Sequence, residues 1–136
     1  MRTRIAAVLM TVAGIAGLTA GPAMATTATA EPGTTSCTTV LNHPCVSHER
    51  DVQGGVVGVA RVSAAPDQLT LVHVEVRTQA AWGSPWETVA SATTVRYGSA
   101  EATTPRVTGI SLRMVCATAG PALDTAQQVT TCTNPF

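Results

Sequence analysis

Lysine is absent from the 136-residue sequence, and all eight basic residues are arginines. Aromatic residues are almost absent too, the full set being Trp82, Trp86, Tyr97 and Phe136. A hydrophobic core must therefore be built from Val, Leu, Ile, Ala and Met. Arginine without lysine, in a chain rich in Ala, Thr, Val and Gly, indicates a GC-rich bacterial genome.

Long apolar runs are also missing, since the only extended one covers residues 5–18. A membrane-spanning helix needs about 20 consecutive apolar residues. The run follows Arg2 and Arg4 and precedes a small-x-small triplet that ends at Ala25. This layout is typical of a secretory signal peptide, residues 1–25, which is removed on export. We therefore expect a secreted, extracellular product with no membrane anchor after cleavage.

The rest of the chain divides into two parts. Residues 26–36 are mostly Thr, Ala, Gly, Pro and Ser and lack apolar periodicity, which predicts a flexible tail. Residues 37–136 are then expected to form a single secreted β domain. After cleavage six arginines face eight acidic residues, so the net charge is close to −2. A weakly acidic chain without a basic cluster argues against nucleic acid or anionic membranes as partners.

Four cysteines in a small exported chain predict two disulfides, because the compartment is oxidising. Three pairings are open in principle. Cys37 with Cys45 and Cys116 with Cys132 are favoured, since each pair closes a short local loop. A zinc site is the alternative for the first pair, because His43 and His48 lie nearby, but only half of the usual ligand spacing is present. We therefore expect no metal and no cofactor.

Hydrophobic periodicity is close to two from residue 56 onward. Val72, Val74 and Val76 alternate with polar His73, Glu75 and Arg77, as in a half-buried strand. By the same alternation Ile110, Leu112, Met114 and Cys116 are expected to face the core, with Ser111, Arg113 and Val115 on the other side. Further strands are expected over residues 56–62, 86–97, 100–108 and 127–133.

Turn signals separate these predicted strands. Hairpin turns are expected at residues 64–68 and 83–85, and another begins at Gly120-Pro121. Pro105 is expected at a strand break or on an edge. The fold predicted from this pattern is an all-β antiparallel sandwich or small barrel of about six or seven short strands, stapled by two disulfides.

Recognised catalytic motifs are missing from the sequence. It contains no nucleophile elbow, no H-E-x-x-H, no P-loop and no dinucleotide fingerprint. His43 and His48 lie in the polar segment before the first predicted strand, and His73 lies on the polar face of a strand. A hydrolase assembled from His48 or His73 is the enzymatic alternative. We expect the protein not to be an enzyme.

Trp82 and Trp86 are the candidate binding residues, because they flank Gly83-Ser84-Pro85 at a predicted hairpin tip. Exposed aromatic rings suit a sugar face or a pocket on a protein. The plainer alternative is that the rings fold back onto the core or pair across the hairpin. The function predicted is an extracellular binding module for a protein or polysaccharide. A structural, envelope-associated protein and a hydrolase inhibitor that uses the Cys116–Cys132 hairpin are the alternatives.

Overall fold

The computed structural model describes residues 40–109 and 111–136. The predicted signal peptide, the predicted tail and Cys37 lie outside these residues. Within them the chain forms seven strands, in which the β-branched Val and Thr are frequent, as the pleated surface of a sheet favours. The strands are β1 (Cys45–Arg50), β2 (Val56–Val62), β3 (Leu69–Gln79), β4 (Glu87–Tyr97), β5 (Ala100–Thr103), β6 (Leu112–Pro121) and β7 (Val129–Cys132), and one 3-10 turn (Thr125–Gln127) precedes β7.

The strands form two antiparallel sheets, with the order β1-β2-β5 in one and β4-β3-β6-β7 in the other. The inward faces of both sheets meet in one core cluster of valine and alanine: Val46, Ala60, Val62, Val72, Val74, Val76, Ala100, Ala102, Val115, Ala117 and Ala119. Two separate sheets that share a core correspond to a sandwich and not to a closed barrel. The all-β prediction is confirmed.

Several predicted strands are found close to their expected positions. β2 occupies residues 56–62 as predicted, and β4 begins at Glu87, one residue after the predicted start. β3 buries Val72, Val74 and Val76 completely, as the alternating pattern indicated. β5 ends at Thr103, earlier than predicted, and Pro105 follows in the strand break where it was expected.

The prediction for the buried face of β6 was wrong. Leu112 and Met114, which were expected in the core, are half-buried on the outer face, and the inward face carries Arg113 and the valine and alanines after it. Residues directly opposite each other in antiparallel strands share a face. The pairs between β3 and β6 are Val76 with Val115, Val74 with Ala117 and Val72 with Ala119. Pairing with the buried valines of β3 therefore determines which side of β6 faces inward.

Two further predictions were wrong. Residues 64–68 do not close a hairpin: they contain a turn, but they link β2 in one sheet to β3 in the other. The segment around His48 was expected to precede the first strand, but it is β1, which pairs with β2 along its whole length. Val46 and His48 alternate inward there and are both buried. Their alternation was obscured because half of this short strand is polar.

A disulfide joins β6 to β7 across their hairpin. Cys116 and Cys132 are directly opposite each other in the register, with Cα atoms 4.0 Å apart, so this predicted pairing is confirmed. The pairing of Cys37 with Cys45 stays a prediction, because Cys37 lies outside the described residues. A disulfide is typical of proteins in oxidising compartments.

Replacing Cys116 and Cys132 together by alanine should lower the free energy of unfolding by about 3 kcal/mol, because the bond closes a short loop in the unfolded chain. The two cysteines are 16 residues apart in the sequence. Urea unfolding followed by circular dichroism measures the change. Leu123→Ala, in the same loop but 90% exposed, is the control and should leave the unfolding midpoint in place. An unchanged midpoint in the double variant would contradict the prediction.

Candidate functional site

The predicted hairpin tip between β3 and β4 is a well-defined turn. The Ser84 amide donates to the Ala81 carbonyl (3.1 Å), and Gly83 has a φ of +86°. A positive φ at the third residue alone is the signature of a type II turn, which explains why glycine occupies this position. The Ser84 hydroxyl strengthens the turn, since it accepts from the Ala81 amide at 3.1 Å and donates to the Ala81 carbonyl at 2.7 Å.

Trp82 stands on this turn and is 95% exposed, so it neither caps the core nor pairs across the hairpin. Trp86, at the entry to β4, is half-buried. Both rings line one open cleft of about 370 Å³, whose other walls are Gln79, Gly83, Leu112 and Pro135. The structure thus brings the two predicted site residues together beside a cavity.

The register of the four-stranded sheet positions the walls of the cleft. Thr78 of β3 is opposite Glu87 of β4, so Gln79 and Trp86 follow as the next pair on the outer face. On its other side Gln79 is opposite Leu112 of β6. Trp86, Gln79 and Leu112 therefore form one row across three strands, and the turn holds Trp82 beyond the end of that row.

Pro135 reaches the cleft because the C-terminal residues run along β6. The Thr133 amide donates to the Val115 carbonyl at 2.8 Å. Phe136 and Arg113 exchange two backbone hydrogen bonds of 2.9 and 3.0 Å. These bonds hold residues 133–136 beside the start of β6, where Pro135 lines the same cleft as Leu112.

The cleft offers few polar groups to a ligand. Gln79 is the only one of its six residues with a polar side chain other than an indole. Its amide nitrogen already donates to the Ser84 carbonyl at 2.6 Å. The remaining surface is indole, isobutyl and pyrrolidine. Such a cleft suits an apolar group held by shape and surface burial.

A charged cluster lies one row further along the same face. Arg77 forms an ion pair with Glu75, and the Thr88 hydroxyl donates to the other Glu75 oxygen at 2.7 Å. Burial raises the pKa of the Glu75 carboxyl, but the hydrogen bonds from Thr88 and Arg77, together with the positive charge of Arg77, outweigh it, so the pKa lies below its ordinary value. Glu75 is therefore ionised beside the cleft at neutral pH.

The histidines considered as catalytic candidates lie apart from the cleft. His73 is on the polar face of β3, as predicted, with Nδ1 2.8 Å from the hydroxyl of Thr93. The ring of buried His48 stacks on Phe136, with centroids 3.6 Å apart and planes 18° from parallel. The Arg50 guanidinium lies 5.1 Å from the centroid of the same phenyl ring. His48 thus packs the C-terminal residue against β1.

Gln79, Leu112 and Pro135 were not recognised as site residues from the sequence. Gln79 could have been found by counting outward from the turn, because it and Trp86 flank the hairpin tip symmetrically. Leu112 was assigned to the core, and Pro135 gave no signal because its position depends on the C-terminal pairing with β6.

No helix in residues 40–109 and 111–136 is long and apolar enough to cross a membrane. No three His, Cys, Asp or Glu side chains in the same residues are grouped as metal ligands would be.

Arg77→Met should raise the pKa of the Glu75 carboxyl, because it removes a charge and a hydrogen bond but leaves the burial. A carboxyl with a lowered folded pKa stabilises the fold above its unfolded pKa, and that contribution disappears as the pH falls. Between the unfolded and the folded pKa of Glu75, the free energy of unfolding of the variant should therefore depend less on pH than that of the wild type. NMR titration of the Glu75 carboxyl carbon measures the pKa. Arg61→Met, which disrupts an ion pair with Glu101 in the other sheet, is the control; equal pKa values in both variants would contradict the assignment.

Comparison with known proteins gives no relative: no protein-family model, no curated protein and no solved structure matches the chain.

Proposed function

We propose that this protein is a secreted, non-enzymatic binding module that captures an apolar side chain of an extracellular protein in the cleft between Trp82 and Leu112. One observation carries the proposal. Trp82 is 95% exposed beside an apolar cleft, in a chain that has only four aromatic residues. Covering an exposed indole on a rigid turn removes apolar surface from water, which favours binding of a partner there.

The turn contributes to binding by limiting its entropic cost. The hydroxyl and amide of Ser84 bind the backbone of Ala81, and Gln79 binds the carbonyl of Ser84. A surface that is already ordered loses less conformational freedom when a partner docks. Tryptophan on such a surface is a frequent source of most of the binding energy in protein interfaces.

The chemistry of the cleft favours a protein partner over a polysaccharide. A sugar ring on an indole needs hydrogen-bonding groups around its hydroxyls, because polar groups that lose water without finding a partner weaken binding. Here Gln79 already gives one of its amide N–H groups to the turn, and Leu112 and Pro135 offer no polar side-chain atom. A leucine, methionine or aromatic side chain would fill the same space without such a loss.

Hydrolase inhibition is the second candidate function, and the loop closed by the Cys116–Cys132 disulfide supports it. Leu123 is 90% exposed in that loop. Asp124 braces the loop by accepting from the Ala126 amide at 3.1 Å and from the Gln127 side chain at 2.6 Å. A rigid loop with an exposed apolar side chain is the form that a protease cleft accepts.

Trp82→Ala should weaken binding of a protein partner by about 2 kcal/mol or more, roughly a thirtyfold rise in Kd, as removal of a central interface tryptophan does. The partner is first isolated from culture-fluid proteins with the immobilised wild type and identified, and its affinity is then measured by calorimetry. Trp86→Ala, Leu112→Ala and the Trp82, Trp86 double variant map the cleft.

Leu123→Ala is the matched control, since it truncates an equally exposed apolar side chain outside the cleft. A partner that loses affinity with Leu123→Ala and not with Trp82→Ala would support the inhibitor loop instead. Retention of a polysaccharide that depends on Trp82 would replace the protein partner by a carbohydrate. A structural role would remain if no ligand of either class distinguishes Trp82→Ala from the wild type.

A further inference from the structure

β4 is the outer strand of the four-stranded sheet, and within residues 40–109 and 111–136 no strand pairs with its free side along its eleven residues. Its outward side chains are exposed, including Val95 at 51% and Tyr97 at 66%. Even its inward-facing Ala90 and Ala92 are only half-buried, because the facing sheet ends in β5, a strand of four residues. A long exposed edge with free backbone groups is a template for another strand.

Charge is confined to the two ends of this edge. Glu87 lies at the start and Arg96 near the end, and every residue between them is uncharged. Both side chains are exposed, and neither forms an ion pair with another described residue. Antiparallel pairing of β4 with a second copy would bring each of these charges to the opposite charge of the other copy.

Pairing between two copies must also match the faces of the sheet, because opposed residues project from the same side. β4 contains a bulge: Val76 pairs with Ala90 and Arg77 with Thr88, so Val89 is the extra residue. If the two-fold axis passes at Ala92, Ser91 is opposite Thr93 and Ala90 is opposite Thr94. Beyond the bulge the register shifts by one residue.

This shift brings the ends of the strand into complementary pairs. Thr88 is then opposite Val95 of the second copy, Glu87 is opposite its Arg96, and Trp86 is opposite its Tyr97. The Thr88–Val95 and Trp86–Tyr97 pairs project from the outer face. The charged pair projects from the inner face, so the two members of each pair lie on the same face of the sheet. By symmetry each pair occurs twice.

We infer that two copies of this chain associate through β4, in an antiparallel pairing centred on Ala92 with Glu87 of each copy beside Arg96 of the other. The pairing joins the four-stranded sheets of the two copies into one sheet of eight strands, and it supplies hydrogen-bond partners for the backbone groups on the free side of β4. It places a side chain of the second copy beside Val95 and Tyr97, the most exposed apolar side chains of the strand. The inference does not rest on the proposed cleft ligand, because self-association and ligand binding are measured separately.

Sedimentation equilibrium of the purified protein tests the inference, and the wild type should reach twice the monomer mass as its concentration rises. Glu87→Arg and Arg96→Glu should each weaken association by roughly tenfold or more, since each creates two like-charge contacts. An equimolar mixture of these two variants should associate as the wild type does, because opposite charges then meet at both ends. The double variant should also recover.

Asp67→Arg, in the link between β2 and β3, is the control for net charge and should associate as the wild type does. Circular dichroism establishes that each variant is folded. A protein that stays monomeric at every concentration overturns the inference, and so does one that forms assemblies larger than a dimer. A dimer that is unaffected by both charge reversals overturns it as well, because its contact would lie elsewhere.

Discussion

The register of β6 against β3 is the constraint on which the rest of the structure depends. It aligns the buried valines of β3 with Val115, Ala117 and Ala119 of β6. These two strands supply about half of a core that is built from small side chains. Because side chains alternate between the two faces of a sheet, a slip of one residue would turn all of these outward. The same slip would bury Thr118, so the core selects one register. The Cys116–Cys132 disulfide then ties β7 to β6 in the position that this register sets.

That register also creates the candidate site. Once Val115 points inward, Leu112 must point outward, where Gln79 and Trp86 continue its row. A leucine on the solvent side of a sheet adds little to stability, because little of its side chain is removed from water. Here Leu112 forms one wall of an apolar cleft together with Trp86 and Pro135. The same register turns Arg113 inward, where burial of its charge is unfavourable. Its guanidinium donates to the backbone carbonyls of Gly54 and Gly109, which lessens the cost of burying the charge.

The sequence predicted the features that depend on local pattern and left open those that depend on pairing. The alternation around Val74, the turn at Gly83 and the Cys116–Cys132 link are local, and they were found. The face of β6 was wrongly predicted because the largest apolar residues of residues 110–116 are at even positions. The buried residues Val115, Ala117 and Ala119 are at odd positions and continue to the end of the strand. β1 was missed because its identity as a strand comes from pairing with β2. Both tryptophans were predicted as site residues, but Leu112 and Pro135 could not be, since only the sheet brings them there.

The two proposed contacts are linked by the geometry of β4, because Trp86 immediately precedes the edge that would pair. A two-fold axis perpendicular to the sheet keeps both outer faces on one side, so both clefts of a pair would open in the same direction. Each lies about six residues from the axis along the strand, which separates the clefts by about 40 Å at the rise of a β-strand. Tyr97 of each copy would stand beside Trp86 of the other and extend the aromatic rim. A target that presents two apolar anchors at that spacing would then be held by both clefts, and its affinity would exceed that of one cleft through effective concentration alone.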